Sequence, residues 1–185
     1  MKLETKTLET ERLLLRKFET EDAEPMFKNW ASNPNVTKHL TWQPYERVED
    51  VREYIKFVIN SYSENTCDWM IVQKELGEPI GTIGIVKYNE NTKCAVIGYC
   101  LSEKYWHKGI MTEAFACIIK FLFEETDINR IESTHDPNNP NSGKVMKKCG
   151  LLYEGTHRKA GFSNQGIIDE AVYAILKEDY AKRKS

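Results

Sequence analysis

Three apolar stretches in the middle of the chain constrain its fold more than any other feature. "DWMIVQK" (residues 68–74) and "PIGTIGIVKY" (residues 79–88) flank the short connection "ELGE". A link of that length containing Gly77 reads as a hairpin between two strands. "CAVIGYCL" (residues 94–101) follows the polar turn "NENTK". The pattern then changes: "KYWHKGIMTEAFACIIKFLFEE" carries an apolar stripe at helical spacing over about residues 112–125. "RIESTH" (residues 130–135) reads as a further strand, and "NSGKVMKKCG" as a short helix stopped by Gly150. "LLYEGTHRK" and "IIDEAVYAIL" are two last strands. Upstream, "RLLLRKF" (residues 12–18) has β character. "TEDAEPMFKNWAS" and "ERVEDVREYIKFVINSY" read as amphipathic helices, with Thr20 and Asp22 as candidate caps of the first. The expected order is β-α-α-β-β-β-α-β-α-β-β.

Bulk properties narrow the class. The 185 residues are expected to form one domain, residues 1–185. A formal net charge of -2 argues against nucleic acid as a partner, because phosphate backbones demand a basic surface. Cys67, Cys94, Cys100, Cys117 and Cys149 are odd in number and form no C-x-x-C pair. They read as reduced thiols of a cytoplasmic protein, not as a disulfide frame or zinc site. His39, His107, His135 and His157 lack metal-ligand spacing, so no metal is expected. "MKLETKTLET" has no apolar core of a signal peptide, and no run reaches the roughly 20 residues of a membrane span.

"HKGIMT" offers a run of backbone amides, Lys108 through Thr112, at a helix N-terminus behind a strand. Unpaired amides and the positive end of a helix dipole favour an anion there. There is no glycine five residues before Lys108 and no G-x-G-x-x-G, so neither a Walker loop nor a dinucleotide fingerprint is present.

Ile97-Gly98-Tyr99-Cys100-Leu101, then Tyr105 through Ala114, then Asn139, Ser142, Val145, Met146, Lys148, Gly150 and Leu151 fall in an order and spacing that resembles the GNAT superfamily of acyl-CoA-dependent N-acyltransferases. The likeness is nearest to its RimJ/RimL-type branch, which includes ribosomal-protein-alanine acetyltransferases, and it covers nearly the whole chain. It departs from the wider pattern at Trp106, where Gln or Arg is usual, and at Met111, where Gly or Ala is usual. His107 replaces the branch's glycine, and Gly109 is kept.

The resemblance implies an α/β (α+β) GNAT fold: a mixed, mostly antiparallel sheet of about seven strands, helices on both faces, and a gap between strands 94–101 and 130–135. It implies acetyl-CoA as cosubstrate. Its diphosphate would lie on the amides of Lys108, Gly109, Ile110, Met111 and Thr112, with His107 beside them. Lys104, Lys108, Lys144, Lys147 and Lys148 would be near the outer phosphates. The pantetheine arm would pair along Tyr99 and Leu101, with the Leu101 amide facing the thioester oxygen. Asn139 and Ser142 would flank the arm and sulfur, beside their own roles in turn and cap, and Tyr99 is a further catalytic candidate. The bases seen in relatives are missing: Val96 and Gly161 stand in their places, leaving Glu103, Tyr99, Asp169 or a water chain. The acceptor, a primary amine of a protein N-terminus or a small molecule, would meet Trp42, Trp69 and Phe162. A monomer or homodimer is expected, with no membrane partner. The competing reading is an acetyl-CoA-binding sensor or interaction module without catalysis.

Overall fold

The computed structural model describes residues 3–62 and 67–184. Eight strands form one sheet in the order β1-β2-β3-β4-β5-β6-β8-β7. They are β1 (Leu8–Glu9), β2 (Leu13–Arg16), β3 (Asp68–Gln73), β4 (Glu78–Asn89), β5 (Cys94–Leu101), β6 (Arg130–His135), β7 (Leu152–Ser163) and β8 (Gly166–Leu176). Every pairing is antiparallel except that of β5 with β6. The strand beyond the expected seven is the two-residue β1. Gly77 turns the β3–β4 hairpin at φ 61°, with its amide donating to the Gln73 carbonyl.

Helices cover both faces. α4 (Ile110–Glu125) and α5 (Pro140–Lys148) pack on one; α1 (Ala23–Met26), α2 (Pro34–Thr37) and α3 (Val48–Ser61) pack on the other. Strand alternation divides the side chains between two cores. Trp69 and Ile71 of β3 face Phe115, Ile118 and Leu122 of α4, whereas Met70 and Val72 join Trp30, Val51 and Ile55. This corrects the assignment of Trp69 to the acceptor pocket. Its ring is fully buried against Phe121, and its indole N–H donates to the Lys6 carbonyl.

The segment before α2 is less regular than its sequence suggests. A 3-10 turn (Thr20–Asp22), the short α1 and a π-helical turn (Phe27–Ala31) follow one another. Glu19 is the cap residue rather than Thr20, and Asp22 closes the box by accepting the Glu19 amide. The same buried carboxylate takes both arms of the Arg16 guanidinium at 2.7 and 2.8 Å, tying β2 to this turn. Removing Arg16 would leave the buried Asp22 carboxylate without its partner. A last helix, α6 (Lys177–Lys184), follows β8 and had no counterpart in the expected order. No helix among the described residues is long and apolar enough to cross a membrane.

Candidate active site

The site opens where the parallel pair parts. β5 and β6 pair over Cys94, Ala95 and Val96 only. The Ser133 hydroxyl then spans to the Ile97 carbonyl at 2.8 Å, and beyond it the strands separate into a cleft of about 460 Å³. Ser102 donates to the Ile80 carbonyl across the β4 side. Antiparallel pairing alternates, so the amides of Tyr99 and Leu101 turn toward the cleft. Trp106 uses its indole N–H to occupy the Leu101 carbonyl at 2.9 Å. The exposed strip of β5 therefore offers amides for a chain of amide groups to pair with.

At one end of the cleft lies the loop into α4. His107 and Gly109 both adopt left-handed backbone, at φ 61° and 76°. Glycine does so without penalty, and histidine at a cost. Among the described residues, the amides from Lys108 to Thr112 donate to no protein acceptor; the first helical bond is Glu113 to the Gly109 carbonyl. The loop is held from behind. Arg12 donates to the Lys108 carbonyl at 3.0 Å and to the Glu113 carboxylate at 2.6 Å. Burial pushes the Glu113 carboxyl up, but hydrogen bonds from Thr10 and Arg12 outweigh it and hold the group below its ordinary value. Five free amides at a helix start suit a diphosphate. Of the lysines, Lys144 and Lys148 line the cleft. Lys104 does not, Lys108 lies over the Tyr105 ring, and Lys147 turns to Tyr173 on another surface.

Across the cleft stands α5. Asn139 is its N-cap and Pro140 its first residue, so Ser142 sits one turn in and is not the cap. The Ser142 hydroxyl instead meets the Tyr99 hydroxyl at 2.8 Å. Burial, partly offset by the Ser142 contact, pushes the Tyr99 phenol up, so it stays protonated, and its hydroxyl also reaches the Ser142 carbonyl as a donor at 3.0 Å. The Asn139 side chain makes no cap bond and lines the cleft.

A second cavity, of about 310 Å³, lies on the other side of β5. Phe18, Trp42, Tyr45, Tyr54 and Phe162 are among its walls. The two cavities share His39, Leu40, Gly98, Tyr99, Cys100, Thr134, His135 and Asp136. At that junction His39 Nδ1 is 3.1 Å from the buried Asp136 carboxylate, which also accepts the Asn138 amide. The two residues are 97 positions apart in sequence, and no local pattern announces the pair. The loop carrying His39 and Trp42 is latched by the β7–β8 turn. Asn164 donates from its side chain to the Thr37 and Trp42 carbonyls and from its amide to Leu40.

Two proposed bases lie elsewhere. Glu103 accepts from Asn33 and Asn35, and Asp169 holds the Lys159 amide; neither lines either of these two cavities. Burial pushes the Cys100 thiol up to about 12, which leaves no thiolate nucleophile at the junction.

Residues 12–152 match the family described as the acetyltransferase (GNAT) domain. The chain is 35% identical over 176 residues, 95% of its length and 98% of the relative's, to an uncharacterized N-acetyltransferase, p20, of Bacillus licheniformis. It superposes on the crystal structure of a GNAT-family acetyltransferase from Bacillus anthracis with a TM-score of 0.81 and 30% identity, covering 94% and 99% of the two chains. RimL, a ribosomal L7/L12 α-N-protein acetyltransferase solved with coenzyme A, shares the fold at a TM-score of 0.83 and 21% identity over 92% and 97%. With its splayed strands and amide-lined helix start, the chain belongs to the GNAT family, as an acyltransferase using acetyl-CoA.

Proposed function

We propose that the chain transfers the acetyl group of acetyl-CoA to a primary amine that enters through the aromatic cavity and attacks the thioester directly. The observation that carries this reading is the meeting of two cavities at Tyr99, one lined by free amides and the other by aromatic rings. The amides of Lys108, Gly109, Ile110, Met111 and Thr112 hold the diphosphate. The amides of Tyr99 and Leu101 hold the arm, and that of Leu101 receives the charge that develops on the carbonyl oxygen. The Ser142–Tyr99 hydroxyl pair returns a proton to the departing sulfur, whose thiol has an ordinary pKa near ~8.5 and needs modest help. Asn139 lies along the arm. His39, oriented by Asp136, takes the proton released by the amine. Trp42 and Phe162 form the acceptor's walls.

The test is release of free thiol from acetyl-CoA across a panel of primary amines and N-terminal peptides. Turnover with an amine is expected. Acetyl-CoA binding with no turnover on any amine would instead favour the non-catalytic binding module.

A further inference from the structure

The acceptor cavity contains a carboxylate that acetyl transfer itself does not use. β3, β4 and β5 place Asp68, Gly84 and Gly98 in one row across the sheet, Asp68 opposite Gly84 and Gly84 opposite Gly98. With strands roughly 4.8 Å apart, the row is about 10 Å long. Two glycines clear it of side chains. A Cβ on Gly84 would lie 2.0 Å from Asp68 Oδ1, and one on Gly98 2.7 Å from a Val86 methyl. The Asp68 carboxylate therefore lies over β4, in the space a Gly84 side chain would take, reaching toward β5 and the junction with the donor cleft.

Among the described residues its surroundings lack a counter-charge. Among the described residues, no hydrogen bond or ion pair reaches the Asp68 carboxylate, and no lysine or arginine lines the cavity. The other two carboxylates there are engaged, Asp136 with His39 and Glu170 with the Thr134 hydroxyl. Tyr54 lies close enough to feel the Asp68 charge, and Phe18 stacks edge-on against Tyr54. A carboxylate partly shielded from water without a partner is costly, and burial alone pushes this one up to about 6. A cation would offset that cost, and aromatic faces add attraction for it.

We propose that the acceptor is a compact dication, a short diamine or its equivalent, with one ammonium on Asp68 and the other amine at the Tyr99 junction. This rests on the acetyltransferase reading above. The free amine nitrogen bonds to the thioester carbonyl carbon, the carbon–sulfur bond breaks, and coenzyme A leaves as its thiol with a proton from the Ser142–Tyr99 hydroxyl pair, which solvent then reloads. The amine's proton passes to His39 and then to solvent. The distal ammonium also eases the chemistry: a like charge a few carbons away lowers the pKa of the reacting amine, so more of it arrives neutral.

The experiment compares thiol release with 1,3-diaminopropane, 1,4-diaminobutane and 1,5-diaminopentane against n-alkyl monoamines of equal length and peptides beginning with Ala or Ser. It uses the wild type, Asp68→Asn and Gly84→Ala, the last filling the carboxylate's position. The best diamine should exceed its monoamine at least roughly tenfold in kcat/KM in the wild type. That ratio should fall toward one in both variants, through the diamine KM. Equal use of monoamines or peptides by the wild type, or a ratio that survives Asp68→Asn, would overturn the proposal. Calorimetric titration with 1,4-diaminobutane separates the two readings. Asp68-dependent binding without turnover would overturn only the acetyltransferase reading. Absence of Asp68-dependent binding would overturn the dication assignment.

Discussion

The two sides of the Tyr99 junction are built from different materials. The cleft proposed for the donor is lined by backbone: the unpaired amides from Lys108 to Thr112 and the inward amides of Tyr99 and Leu101. Its side chains act mainly as supports, as Arg12 does from behind the loop. The cavity proposed for the acceptor is lined by side chains, among them Trp42, Tyr45, Tyr54, Phe162 and Asp68, brought together from a loop, a helix, a strand and a hairpin. A backbone site tolerates sequence change as long as its φ/ψ angles survive. A side-chain site changes specificity with each substitution. This explains how His107 and Met111 can depart from the family pattern while the anion loop keeps its form.

The difference can be broken at several points. The largest effect is expected from Ser142→Ala. Its hydroxyl touches Tyr99 and is not a helix cap. Turnover should therefore fall by roughly 10²-fold with little change in acetyl-CoA KM. A lowered melting point with unchanged kcat would return Ser142 to a structural role. Gly109→Val comes next. A β-branched residue at φ 76° costs about 1–3 kcal/mol, and the only atom within 4 Å of the added Cβ is 3.7 Å away, so strain and not collision does the damage. Acetyl-CoA should bind roughly tenfold to a hundredfold more weakly, as read by calorimetry.

Asp68→Asn sharpens the comparison through stability. The Asp68 carboxyl is raised to about 6 in the folded protein, above an unfolded value of about 3.9. The native state thus holds this proton more tightly, and stability falls as pH rises between those values. The amide removes that loss. The variant should melt higher than the wild type at pH 8, by roughly 1–2 kcal/mol after allowing for partial exposure, and alike at pH 3. A variant less stable at pH 8 would mean that the carboxylate is supported within the fold. The smallest effect belongs to His107→Gly, which relieves a left-handed histidine worth roughly 1 kcal/mol. Melting should rise by a few degrees with acetyl-CoA affinity kept.

The same contrast governs what the sequence discloses. Strands 94–101 and 130–135 are legible to the residue, because apolar alternation and flanking turns mark them. The helix after Gly109 is legible to its end at Glu125, but it begins two residues before its apolar stripe suggests, at Ile110. Trp69 was misplaced for a physical reason. Alternation says that it shares a face with Ile71, but which face meets α4 depends on tertiary packing. Ser142 reads as a cap until Pro140 is seen to occupy the first helical position and move the cap to Asn139. The His39–Asp136 pair is invisible, since only the latch by Asn164 and the parting of β6 bring its members together. Asp68 looks like the polar start of a strand. Its meaning comes from Gly84 and Gly98 on neighbouring strands.

The division of labour itself is tested most directly by the dissociation constant of acetyl-CoA, measured by calorimetry without acceptor on the wild type, Gly109→Val and Trp42→Ala. Trp42 lines the acceptor cavity alone of the two, packed on Tyr45 at 5.4 Å between ring centres, and Gly109 lines the donor cleft alone. The expected result is an unchanged constant for Trp42→Ala and a marked weakening for Gly109→Val. Equal weakening by both, or weakening by Trp42→Ala alone, would contradict a donor site built from backbone and an acceptor site built apart from it.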